Sequence, residues 1–79
     1  MILGRVTGQI WSSRKLDTMP SAALLEVETD AGAVIIALDT IGCGTGEKVL
    51  VTTGSVAAAQ FPDIRAPIDA LIIASIDEA

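Results

Sequence analysis

The sequence predicts an all-β protein, a small five-stranded antiparallel barrel with one short helix between its fourth and fifth strands. Three observations point there. Five short segments are alternating or wholly apolar, and Gly, Asp, Ser or Pro stands between them. The apolar mass, 51% of the chain, is mostly Ala, Val, Ile and Leu, with Trp11 and Phe61 the only aromatic side chains. That composition suits pleated, packed surfaces better than an aromatic-lined pocket. And the chain has 79 residues without an internal repeat or linker, so residues 1–79 read as a single domain.

Residues 2–11 give the first strand. Ile2, Val6 and Ile10 share one face with Gly4 and Gly8 between them, while Arg5, Thr7 and Gln9 face the other way. Two glycines on an inner face predict a bend or a close backbone approach. Residues 12–23 read as a loop interrupted by Pro20. Residues 24–29 form the second strand, Leu25 and Val27 inward and Glu26 and Glu28 outward, followed by a hairpin turn at Asp30-Ala31-Gly32. Residues 33–38 form a third strand that is apolar on both faces. The glycine-spaced loop 39–47 leads to a fourth strand at 48–53. Ser55 is positioned to cap a short helix through Ala57, Ala58 and Ala59, ended by Pro62. Residues 70–76 are the fifth strand, again apolar on both faces. Strands with no polar face need cover outside the barrel, and a neighbouring copy is the simplest cover.

A chain this size buries only about 60% of the surface it exposes when unfolded, so these aliphatic residues exceed what one copy can hide. The net charge is −5, unevenly distributed. Arg5, Arg14 and Lys15 occupy an acid-free N-terminal stretch, and all ten acids face only Lys48 and Arg65 beyond it. An acidic chain with two aromatics is a poor nucleic-acid binder, which needs a basic stripe and stacking platforms. A single cysteine cannot close an internal disulfide, and no apolar run is long enough for a membrane span. The N-terminus lacks the apolar core of a signal peptide, so a cytoplasmic location is expected.

Candidate chemistry is sparse. The chain has no histidine, which removes the commonest general base and most transition-metal sites. Cys43 has glycine, threonine and isoleucine around it and no base, so it reads as a small residue in a tight loop. The Gly42-Cys43-Gly44-Thr45-Gly46 string invites a phosphate-loop reading and fails it. A dinucleotide fingerprint needs glycine where Glu47 stands and a helix afterwards, and Lys48 follows a glutamate rather than a glycine. Glu26 and Glu28 share a strand face, where a solvated surface is the simpler reading. Asp39, Asp69 and Asp77 sit at strand ends, either as turn residues or as acids buried at a subunit seam.

Several strings carry a resemblance. Arg-Val-Thr-Gly-Gln-Ile-Trp-Ser-Ser-Arg-Lys at 5–15, Leu-Leu-Glu-Val at 24–27 and Ala-Leu-Asp-Thr-Ile-Gly-Cys-Gly-Thr-Gly-Glu-Lys-Val-Leu-Val at 37–51 come first. Gly54-Ser55 with Ala57, Pro67-Ile68-Asp69 and Ile76-Asp77 follow in order. Together they resemble the bacterial microcompartment vertex proteins, pentamer-forming shell proteins of the EutN/CcmL type. The resemblance implies an OB-like barrel without catalysis or cofactor. Five copies would fill the vertices of a polyhedral shell, with hexameric facet proteins as partners. It departs at Gly54-Ser55-Val56-Ala57-Ala58, where many members carry Gly-Ser-Ser-Ala-Arg. On this reading Asp39, Gly42, Gly44, Gly46, Glu47, Gly54, Ser55, Asp69 and Asp77 are candidates for the subunit seams or the five-fold axis. Arg5, Arg14, Lys15 and Asp17 are candidates for charge pairs with neighbours or with hexamers. The rival reading is an OB-type module for single-stranded nucleic acid.

Overall fold

The computed structural model describes residues 1–62 and 66–78, so Arg65 lies outside the described residues. Five strands follow in chain order: β1 (Ile2–Ile10), β2 (Ala23–Thr29), β3 (Val34–Asp39), β4 (Lys48–Thr53) and β5 (Ala70–Ile76), with a single-turn helix, α1 (Ser55–Ala58), between β4 and β5. They close into a barrel in the order β1-β2-β3-β5-β4. The expected five strands and short helix are all present. One seam departs from the antiparallel expectation. β3 and β5 run parallel and pair only through Leu38↔Leu71 and Asp39↔Ile72. Parallel neighbours need a long crossover, and β4, α1 and the segment after it supply one.

Period-two alternation fills the interior with Val6, Leu25, Val27, Ala37, Val49, Val51, Ala70 and Ile72. The two glycines of β1 do different work. A Cβ on Gly4 would stand 2.6 Å from Val27 Cγ1 and 2.8 Å from the Glu28 carbonyl oxygen, so β1 and β2 approach there only because Gly4 has no side chain. Gly8 has nothing within 4 Å of such a Cβ. It marks a bend instead, because the β1–β2 register shifts between Val6 and Gly8. That shift corrects the expected inner position of Ile10. Val6 pairs with inward Val27, but Gly8 pairs with outward Glu26 and Ile10 with Leu24, so Ile10 is turned to the exposed side.

A second apolar cluster lies on the outside of the barrel. Leu38 of β3 and Leu71 of β5 are buried beneath Ala57 of α1, with Phe61, Ile68 and Leu24 packed around them. The chain thus covers part of its own two-sided strands without a neighbour. Val34 and Ile36 on β3 and Ile73 on β5 remain exposed. Ser55 is not the helix cap. Gly54 takes that position with φ +74°, no side chain caps the turn, and the helix closes at Ala58, before Pro62. One turn has little stability of its own, so α1 is held by Ala57 in the outer cluster.

Candidate assembly surfaces

The glycine loop is built around one carboxylate. Asp39, buried at the end of β3, accepts N–H groups from three successive residues: Ile41 at 3.1 Å, Gly42 at 3.1 Å and Cys43 at 2.8 Å. Of its two expected roles, turn chemistry is the one seen in the chain. Gly42 and Gly46 take φ of +96° and +93°, where a side chain would be strained. Gly44 does not. It donates its N–H to Glu47 Oε1 at 3.0 Å, while Ser75 Oγ donates to Glu47 Oε2 at 2.9 Å. These bonds, the Gly44 N–H foremost, hold the Glu47 carboxyl below its ordinary range. The loop packs on β1: Gly46 N–H donates to Val6 O at 2.8 Å and Val6 N–H to Glu47 O at 3.0 Å.

Arg5 closes the same end of the barrel. Its guanidinium donates to Gly46 O at 2.6 Å and grips both oxygens of Glu78 at 2.9 Å. The pairing raises the Arg5 pKa and lowers that of Glu78. Arg5 is therefore engaged within its own chain. Lys48 likewise pairs with Asp30. Arg14, Lys15 and Asp17, by contrast, lie exposed in the loop between β1 and β2 and make no ion pair among the described residues. Gly54 N–H donates to Asp69 O at 2.7 Å, which joins that turn to the start of β5. The side chains of Ser55, Asp69 and Asp77 are exposed.

So the candidates fall into separate groups. Asp39, Gly42, Gly44, Gly46, Glu47 and Arg5 meet at one loop, Gly54 and Asp69 meet at another, and Asp77 and the Arg14–Asp17 stretch stand apart. Glu78 was not among them. The acid closing an arginine across 73 residues carries no local signal. Also missed were the exposed apolar residues Trp11, Leu16 and Ile41, which lie in loops where no alternation marks a face, and Ile73, which stands at a register shift in β5.

Cys43 packs against the barrel core. Burial first, then the charges of Asp39 and Glu47, push its thiol up to about 11, away from the low values that make a nucleophile. Glu26 accepts the Thr7 hydroxyl at 3.0 Å rather than pairing with Glu28. Among the described residues no group of acids or thiol could hold a metal ion, and no helix is long and apolar enough to cross a membrane.

The family profile described as ethanolamine utilisation protein EutN/carboxysome matches residues 1–77. The chain belongs to the EutN/CcmL family. A EutN/CcmL relative from Salmonella typhimurium, the bacterial microcompartment shell vertex protein EutN, is 38% identical over 99% of this chain and 85% of its own length. The pentameric shell protein of the RMM microcompartment superposes with a TM-score of 0.93 at 49% identity, covering 98% of this chain and 91% of that one. GrpN of Rhodospirillum rubrum, a pentameric microcompartment shell protein, superposes at 0.84 with 32% identity, covering all of this chain and 96% of its own. These EutN/CcmL relatives are shell proteins, and the nucleic-acid alternative finds no support among them.

Proposed function

We propose that this chain is a structural shell protein. Five copies form a ring that closes the vertices of a polyhedral bacterial microcompartment in the cytoplasm, packing against hexameric facet proteins. The supporting observation is a pair of partly open apolar strips on the barrel's outer side, in which Ile36 on one and Ile41 and Ile73 on the other are exposed. One runs past Met19, Leu24 and Ile36, the other past Ile41, Phe61 and Ile73, and they share no residue. Two unlike patches suit a head-to-tail contact that repeats until it closes, whereas a two-fold dimer would use one patch twice. The number five comes from the pentameric relatives. Within the ring, the 42–47 loop and the Gly54-Ser55 turn are assigned to the seams or the five-fold axis, with Asp69 and Asp77 on the flanks. Asp39 serves there by shaping the loop. The chain itself carries out no catalysis and needs no cofactor.

Native mass spectrometry of the purified chain tests the ring: a species of five subunits is expected, and a stable monomer at micromolar concentration contradicts it. Electron microscopy of hexameric shell proteins assembled with and without the chain tests the vertex role. Closed polyhedra should require it, because five-fold caps supply curvature that hexagonal sheets lack.

A further inference from the structure

Arg5 has two acids within its reach and uses one of them. Across the β1–β2 ladder it is paired with Glu28, and side chains directly opposite on antiparallel strands share a face and can touch. Glu28 is exposed and makes no ion pair among the described residues. The guanidinium turns instead to Glu78, holding both its oxygens at 2.9 Å while donating to Gly46 O at 2.6 Å. On the β4 side Arg5 is opposite Lys48, whose charge Asp30 takes up.

Glu78 belongs to the short tail that follows β5. The strand ends at Ile76, and no backbone hydrogen bond holds Asp77 or Glu78 among the described residues. Ile76 is paired with Lys48 of β4, and Lys48 with Arg5 of β1. The tail thus reaches from β5 past the start of β4 and is tied to β1 by a side chain. Both partners of that tie are about half exposed, and ion pairs so open to water break and re-form easily.

We propose that residues 77–78 are a strap, whose Glu78 keeps Arg5 on Gly46 and away from Glu28. Glu28 lies on the β2 side of Arg5, whereas Gly46 lies two residues before β4, on the other side. A guanidinium drawn to Glu28 therefore leaves Gly46. With the strap closed, Arg5 fastens the Gly46 carbonyl. The glycine loop then stays docked on β1 through Gly46 N–H to Val6 O and Val6 N–H to Glu47 O. With the strap open, Arg5 moves to Glu28 and the loop loses that fastening. Glu78 is a positioning residue, acting on the loop through Arg5. The device lies within one chain and does not depend on the ring.

Amide hydrogen exchange followed by nuclear magnetic resonance reads this docking at the Gly46 and Val6 N–H groups. Glu78→Gln keeps the side chain's size and removes its charge. Both amides should then exchange about threefold to fivefold faster, the range that an exposed bidentate pair supports. The Gly54 N–H, bonded to Asp69 O at a separate turn, should exchange as in wild type. Adding Glu28→Gln to Glu78→Gln should restore much of the protection, because Arg5 then has no competing acid. A tail that only packed would show no such rescue. Wild-type exchange at Gly46 and Val6 in Glu78→Gln overturns the strap. An equal acceleration at Gly54, the mark of general loosening, overturns it too, as does a double variant as fast as Glu78→Gln.

Discussion

At the scale of single residues, the two glycines of β1 separate close approach from bending. Alanine at position 4 drives a methyl group into the Val27 side chain and the Glu28 backbone, so Gly4→Ala should cost about 1–3 kcal/mol. Gly8 has open space and a φ outside the left-handed region. There alanine should be neutral or stabilising by about 0.5 kcal/mol, through the unfolded chain. Chemical denaturation of the two variants, with no loss at position 4 as the contrary result, checks the assignment. Asp39 is a larger case. Its removal leaves three N–H groups without their acceptor, and Asp39→Ala should cost about 3 kcal/mol. A melting temperature within a degree or two of wild type would show that the loop finds other acceptors. Cys43 makes the complementary point about reactivity. With its thiol at about 11 rather than 9.0, it holds about a hundredth of the ordinary thiolate at neutral pH. Iodoacetamide should label it slowly, with the rate climbing as pH approaches 11; fast labelling at pH 7 would contradict the burial.

At the scale of elements, the glycine loop carries a pH response. Glu47 titrates below its ordinary 4.5 in the folded chain. Its stabilisation is thus complete above that value and is lost as pH falls through the lower folded one. The Gly44 amide resonance, whose N–H meets this carboxylate, should shift over that acid window. Glu47→Gln should flatten the shift; an unchanged titration in that variant would assign the response to another acid. How far elements were legible follows from the same local physics. The bounds of β4 and β5 are legible because apolar runs end at turn residues, and the inward Leu25 and Val27 because alternation holds along β2, whose ladder with β3 is unbroken. Ile10 departs from its expected inner position because a bulge at Thr7, between Val6 and Gly8, reverses the phase, and no single residue announces a bulge. The Ser55 cap was misassigned because Gly54, at φ +74°, already turns the chain. The loop candidates were legible as a group since their partners lie nearby in sequence. Arg5 with Glu78, and the outer cover of Leu38 by Ala57, depend on chain closure across the barrel.

At the scale of the whole molecule, the question is whether the barrel's stability is its own. Among the described residues its interior cluster has eight buried side chains, two of them alanine, and Ile36 and Ile73 stay 43% and 38% exposed on its outside. If a ring covers such surface and melts together with its subunits, mass action enters the melting temperature. Dissociating five folded copies into five unfolded ones makes the stability per subunit vary as four-fifths of RT ln of concentration. A hundredfold rise in protein concentration should then add about 2 kcal/mol per subunit, or about 10 °C for a domain of this size. Differential scanning calorimetry across that range is the measurement. A barrel sufficient in itself would melt at one temperature at every concentration, and its exposed isoleucines would then be ordinary surface. A rising melting temperature would instead mean that the outer aliphatic residues are half of a core completed by the adjacent copy, which is what a small shell subunit with so few interior side chains requires.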